Sequence, residues 1–149
     1  MKIALAASAG GHLTELDILL PKEVLERNEI IKFTEKTERT ISLKEKTYFF
    51  KPLGYNPFSY ILPIFRCFKI LRNERPGLLI TTGAEIGLVA IIASRILGIK
   101  TVFIGIAGNP ITPSLDGKFS YLFSNIFLVQ YPELKEKYGK KAKYLGGLI

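Results

Sequence analysis

An α/β fold of Rossmann type, with a mostly parallel sheet and helices on both faces, is what three observations predict. Short apolar runs alternate with helical segments along the whole chain. Glycines stand where strands hand over to helices. No linker, repeat or low-complexity stretch interrupts the 149 residues, so residues 1–149 read as one domain.

The elements follow in order. Lys2–Ala7 is apolar and reads as a buried parallel strand, closed by Ser8-Ala9-Gly10-Gly11. His12–Leu20 has helical spacing through Leu13, Leu16 and Leu20, and Pro21 should kink or split it before Lys22–Arg27. Glu29–Phe33 is the second strand. The charged, hydroxyl-rich stretch Thr34–Lys46 reads as a loop, and Thr47–Phe50 as the third strand. Pro57–Arg75 is expected to be one helix kinked at Pro63. Leu78–Thr82 is the fourth strand. Ala84–Leu97 is an apolar helix with Gly98 in the C-cap place. Thr101–Ile104, a helix from Ser114 to about Phe123, Phe127–Gln130, a short helix from Pro132 and a last strand over Lys143–Leu148 complete the pattern. In such folds ligands bind at the C-terminal ends of the strands, at a topological switch point.

Composition narrows the function classes. A net charge of +8 predicts an anionic partner or an inert basic surface. One histidine and one cysteine cannot make a zinc site, so no metal is expected. Cys67 lies among apolar residues and reads as core packing. Met1-Lys2 leads into only a short apolar run, so no signal peptide is expected. No run reaches the roughly 18–20 apolar residues of a spanning helix. The expected location is cytoplasmic, peripheral at the inner face of the membrane. No helix-turn-helix, RNA-binding or OB signature points to nucleic acid.

Four segments could carry chemistry. Ser8, Gly10 and Gly11 open the first helix, where free N–H groups and the helix dipole favour a phosphate or an oxyanion; a plain tight turn has the same sequence. His12 follows, where the dipole favours neutral imidazole that can accept a proton from a hydroxyl, or merely cap the helix. Thr82, Gly83 and Glu85 form a second strand-to-helix edge, suited to a ligand, to a partner chain or to close packing alone, with Glu85 either a ligand carboxylate or a favourable first-turn charge. Ser114 ends a long Gly/Pro loop and is either a ligand contact or an N-cap. Along Phe58–Arg75, bulky apolar residues combine with Arg66, Lys69 and Arg72, which suits a helix lying on an anionic bilayer or a core helix with a solvated basic side.

Ala7-Ser8-Ala9-Gly10-Gly11-His12-Leu13-Thr14-Glu15-Leu16 resembles the opening of a known family. Arg75-Pro76, Thr81-Thr82-Gly83, Pro113-Ser114-Leu115 with Gly117-Lys118, Val129-Gln130-Tyr131-Pro132-Glu133-Leu134 and Tyr144-Leu145-Gly146 extend the resemblance in order. The family is the membrane-recruiting subunit of the split UDP-N-acetylglucosamine transferase of dolichol-linked oligosaccharide synthesis, with the enhancer subunits of bacterial capsular and exopolysaccharide glycosyltransferases. The resemblance implies the N-terminal, acceptor-side half of a GT-B glycosyltransferase, a chain ending where such a subunit ends, and no cofactor. It implies a heterodimer with a donor-binding subunit and a polyprenyl-linked acceptor. His12 would be the catalytic residue. Ser8, Gly10, Gly11, Thr82, Gly83, Glu85 and Ser114 would bind acceptor or phosphate, and Arg66, Lys69 and Arg72 would touch the membrane. Where the family carries an acidic residue and an arginine after the fifth strand, this chain has Gly105 and Asn109. A stand-alone nucleotide- or sugar-phosphate-binding Rossmann enzyme and a purely structural recruiting subunit are the rival readings.

Overall fold

The computed structural model describes residues 1–108 and 111–147. Seven parallel strands form one sheet: β1 (Lys2–Ala7), β2 (Glu29–Glu35), β3 (Lys46–Phe50), β4 (Leu78–Gly83), β5 (Lys100–Ile104), β6 (Ile126–Val129) and β7 (Ala142–Tyr144), in the order β3-β2-β1-β4-β5-β6-β7. The chain lays strands outward from β1 in one direction, then returns and lays them outward from β4 in the other. The reversal falls between β1 and β4 and opens a crevice at their C-terminal ends.

Among the described residues six α-helices cover the sheet. α1 (Gly11–Leu19) and α2 (Lys22–Arg27) join β1 to β2, α3 (Ile61–Glu74) joins β3 to β4, α4 (Ala84–Leu97) β4 to β5, α5 (Leu115–Phe123) β5 to β6, and α6 (Pro132–Tyr138) β6 to β7. Right-handed crossovers running in opposite directions must lie on opposite faces. Accordingly Leu13, Leu16 and Leu20 pack on Ile3, Leu5, Ala7, Ile80 and Ile104. On the other face Cys67, Leu71 and the α4 residues Ile86, Val89 and Ile91 pack on Ala4, Ala6, Ile31, Phe33 and Leu79. α4 lies over the middle of the sheet, and each of its three fully buried branched aliphatics contributes about 1.5–3 kcal/mol by leaving water.

Prolines and glycines set the boundaries. Leu20 is extended (φ −89°, ψ 119°) because the ring of Pro21 excludes the helical conformation before it, so α1 and α2 are separate. Pro63 does not kink a helix. It is the third residue of α3, where the missing N–H would have had no intrahelical partner. The break comes earlier: Pro57–Tyr60 is a 3₁₀ turn, started by the Asn56 side chain, which accepts the Phe58 N–H at 3.0 Å. The polar stretch after the second strand is more ordered than its composition indicates. β2 runs on through buried Thr34 and Glu35, and the buried Thr40 hydroxyl donates to the Glu35 carbonyl at 2.7 Å. The last strand is shorter than expected and begins earlier, at Ala142; Leu148 lies outside the described residues.

At the end of the sheet away from the crevice, Glu74 closes α3 with its carboxylate 9% exposed. Lys2 donates to it at 2.7 Å, and Lys46 and the Tyr48 hydroxyl donate as well. These hydrogen bonds, that of Lys2 first, hold the Glu74 carboxyl down to about 2. A carboxylate with a lowered folded value stabilises the fold fully above its unfolded value, and the contribution is lost as pH falls through the folded one. Stability should therefore drop between about pH 4.5 and pH 2, and Glu74→Gln should flatten that part of the curve in urea titrations at graded pH. Burial pushes the Cys67 thiol up to about 12, so the native protein should leave Ellman's reagent unreacted until guanidinium unfolds it.

Candidate functional site

Two strand-to-helix turns face each other across the crevice. At one, Gly10 (φ 103°, ψ −138°) precedes α1; at the other, Gly83 (φ 94°, ψ −143°) precedes α4. Both need a positive φ that L side chains avoid. The two helix starts differ in what they leave free. The first turn of α4 is satisfied from elsewhere: Asp116 Oδ2 accepts the Ala84 N–H at 2.8 Å and Ser8 Oγ accepts the Ile86 N–H at 3.2 Å. Among the described residues no side chain accepts an N–H group of the first turn of α1, although the Glu35 carboxylate accepts the Ala9 N–H just before it, so the dipole and leading N–H groups of α1 stay available at the crevice.

His12, in the first turn of α1, is bound across the crevice to β4. Its Nδ1 lies 2.8 Å from the Thr82 carbonyl, and the Thr82 hydroxyl donates to the His12 carbonyl at 2.7 Å. A carbonyl can only accept, so Nδ1 carries a proton, and in the neutral ring the lone pair is on Nε2. A bulge makes this possible. β1 pairs Ala6 with Thr81 and then Ala7 with Gly83, leaving Thr82 as the extra residue, and a bulge turns a carbonyl out of the ladder.

His12 and Thr82 form one wall of a pocket of about 180 Å³ whose other walls include Phe103, Thr112, Ser114, Asp116 and Tyr138. Hydroxyls, a carboxylate and aromatic rings together suit a polyhydroxylated ligand. On the far side of the α1 start lies a wider groove of about 560 Å³, lined by Gly10, Thr14, Asp17, Arg39 and Thr40 among others. The loop after β5 is stapled over the first pocket. Glu15 Oε2 accepts the Ala107 N–H at 2.9 Å, the Gln130 amide donates to the Gly105 carbonyl at 2.9 Å, and the Tyr131 hydroxyl donates to the Ala107 carbonyl at 2.6 Å.

Of the residues picked from sequence, His12, Thr82 and Ser114 meet in the smaller pocket and Gly10 lines the larger groove. Gly11 opens α1 and is exposed. Ser8 caps α4. Gly83 lies so close to its neighbours that a Cβ there would come within 2.8 Å of both Asp116 Oδ2 and the Phe103 ring. The Glu85 carboxylate accepts the Leu53 and Gly54 N–H groups at 3.0 and 3.3 Å, which ties the loop after β3 to α4. Ser114 is the N-cap of α5 and accepts the Gly117 N–H at 3.1 Å. Gly105 follows β5, and Asn109 lies outside the described residues. Arg66 donates to the Phe49 carbonyl at 2.7 Å with its guanidinium 4.7 Å from the Phe50 ring centre, so it covers the open edge of β3; Lys69 and Arg72 are exposed. Glu15, Gln130, Tyr131 and Asp116 received no role from sequence, because their partners are backbone groups of distant elements that no spacing rule reveals. Burial, then the nearby Glu85 and Asp116 carboxylates, raise the Tyr60 hydroxyl above the usual phenol range.

Part of α3 and the turn before it is apolar on the outside. Phe58 is 79% exposed and Leu62 78%, with Ile61 and Phe65 also exposed, while Cys67 and Leu71 face the core. Among the described residues no helix is long and apolar enough to cross a membrane.

A structure of MurG from Acinetobacter baumannii superposes with a TM-score of 0.78 at 13% identity, covering 98% of this chain and 46% of that one, so the fold is the Rossmann-like, GT-B type. The chain is 30% identical over 128 residues to the Borreliella burgdorferi UDP-N-acetylglucosamine–N-acetylmuramyl-(pentapeptide) pyrophosphoryl-undecaprenol N-acetylglucosamine transferase, covering 83% of this chain and 32% of that protein. It is 34% identical over 98 residues to the Rattus norvegicus UDP-N-acetylglucosamine transferase subunit ALG14, covering 62% of this chain and 45% of that protein. It thus spans a third to a half of these relatives. A family model described as oligosaccharide biosynthesis protein Alg14 like matches residues 28–148, and the chain belongs to that Alg14-like family.

Proposed function

We propose that this domain is the acceptor-side part of a glycosyltransferase that moves N-acetylglucosamine from a UDP-sugar to a polyprenyl-linked saccharide. The observation that carries the reading is His12, bound through Nδ1 to the Thr82 carbonyl so that the neutral ring has its lone pair on Nε2, at the wall of a polar pocket beside the start of α1. The acceptor hydroxyl donates its proton to Nε2 as its oxygen bonds to the anomeric carbon of the donor sugar and the UDP group departs with the electrons of the broken bond. Gly10 and Gly11 present the N–H groups of α1 to the phosphate of the acceptor. Thr82, Gly83 and Ser114 shape the pocket, with Ser8 and Glu85 bracing its rim. The names of the relatives, a lipid-pyrophosphoryl transferase and a transferase subunit, support the substrate class and a second chain that binds the donor.

The exposed apolar residues Phe58, Ile61, Leu62 and Phe65, with Lys69 and Arg72 further along α3, support peripheral docking on an anionic bilayer at the cytoplasmic face. Arg66 serves that surface less directly, through the β3 edge it holds. A purely structural recruiting role draws on the capping and bracing duties of Ser8, Glu85 and Ser114, and His12 separates the two readings.

With the donor-binding partner co-expressed and a polyprenyl-pyrophosphoryl saccharide as acceptor, His12→Gln should lower turnover by about 10²–10⁴-fold, the usual yield of a positioned base; wild-type turnover would leave only the structural role. In flotation with vesicles containing phosphatidylglycerol, Lys69→Glu with Arg72→Glu should cut binding at least about tenfold at low salt, since each basic residue at such a surface is worth about 1 kcal/mol. Phe58→Ser with Leu62→Ser should weaken binding at every salt concentration. Unchanged flotation of both pairs would remove α3 from the membrane surface.

A further inference from the structure

The Thr82 carbonyl does for His12 what a carboxylate does in other acid–base sites: it selects the tautomer and sets the ring orientation. A backbone carbonyl has no rotamer of its own, so its direction is set by the peptide planes around it. Two side chains hold those planes. The peptide joining Thr82 to Gly83 gives its carbonyl to His12 and its N–H to Thr81 Oγ1, at 2.9 Å. The next peptide, joining Gly83 to Ala84, gives its N–H to Asp116 Oδ2.

The turn needs holding. Gly83 has φ 94° and Ala84, which is not a glycine, has φ 57°, a left-handed conformation that persists where surrounding contacts impose it. Room has been left for the first of the two clamps. Thr81 is fully buried, and a Cβ at Gly87 would stand 2.4 Å from its Oγ1. Glycine inside a helix is unfavourable, and here it vacates the space the hydroxyl occupies. Hydrogen bonds in series through one amide also polarise each other, so the Thr81 bond strengthens the carbonyl that His12 meets.

We propose that Thr81 and Asp116 are positioning residues, which clamp the two peptide planes flanking Gly83, aim the Thr82 carbonyl at Nδ1 and hold His12 in the Nδ1–H tautomer. The kinetic consequence rests on the role proposed above for His12; the tautomer does not.

His12 is the chain's only histidine, so its ring nitrogens give unambiguous ¹⁵N signals. Spectra of the full chain at alkaline pH should show Nδ1 protonated. Thr81→Val, which keeps the shape and loses the acceptor, should yield a mixture of tautomers, and Thr81→Ser should restore the single form. Asp116→Ala should shift the mixture in the same direction, while Asp116→Asn, still an acceptor, should not. Asp116 is only partly buried, so this second pair carries the test even where Thr81→Val does not fold. Nε2–H as the main wild-type form, or an unchanged pattern in folded Thr81→Val or Asp116→Ala, would overturn the proposal. In the reconstituted transfer assay Thr81→Val should reduce kcat about tenfold with KM unmoved, as loss of a supporting hydrogen bond typically does. A shifted tautomer with full kcat would uphold the clamp and instead refute catalysis by His12.

Discussion

The reversal of strand order between β1 and β4 is the constraint on which the rest of this molecule depends. It parts two helices that would otherwise pack side by side, and so leaves a crevice into which both strand-to-helix turns open. The reciprocal pair of hydrogen bonds between His12 and Thr82 spans that crevice. It joins the half of the sheet built outward from β1 to the half built outward from β4. The same contact that ties the fold together at its switch point therefore fixes the geometry of the candidate base.

The two ends of the sheet spend their polar groups differently. Away from the crevice, Glu74 gathers two lysines and a tyrosine, and Lys2 also reaches Glu29 at 3.0 Å. At the crevice, carboxylates hold backbone instead of cations: Glu15, Glu85 and Asp116 each accept main-chain N–H groups. Glu15 thereby pins the loop after β5 beside the small polar pocket, Asp116, on its wall, fixes the first residue of α4, and Glu85 holds the loop after β3. Such a site is preorganised, because its walls are held by bonds a substrate does not have to form.

The helical layer over the second face makes a further division of labour. α4 is buried on the side that meets the sheet and braced by α3 and α5 on either side. α3 turns Cys67 and Leu71 inward, while Phe58 and Leu62, at its approach and first turn, face solvent. The exposed apolar surface of Phe58, Ile61, Leu62 and Phe65 thus follows the loop that Glu85 holds.

Period and punctuation in the sequence determined most of the fold. The strand–helix alternation, Gly98 ending α4 and Pro21 dividing α1 from α2 all follow from local sterics, which neighbouring residues set among themselves. The place of the candidate site rests on the same kind of signal, since glycines after β1 and β4 mark where the backbone must turn tightly at the strand ends. What only the tertiary structure decided are partners remote in the chain. The bulge at Thr82, the tautomer of His12, the capping of α4 by Ser8 and Asp116, and the diversion of Arg66 to the β3 edge all join groups at least 17 residues apart. Pro63 shows the limit from the other side: the same residue kinks a helix or begins one, and which it does depends on where the preceding turn breaks. Likewise a helix apolar on two faces has one hydrophobic pattern, and only packing against the sheet selects the face that is buried.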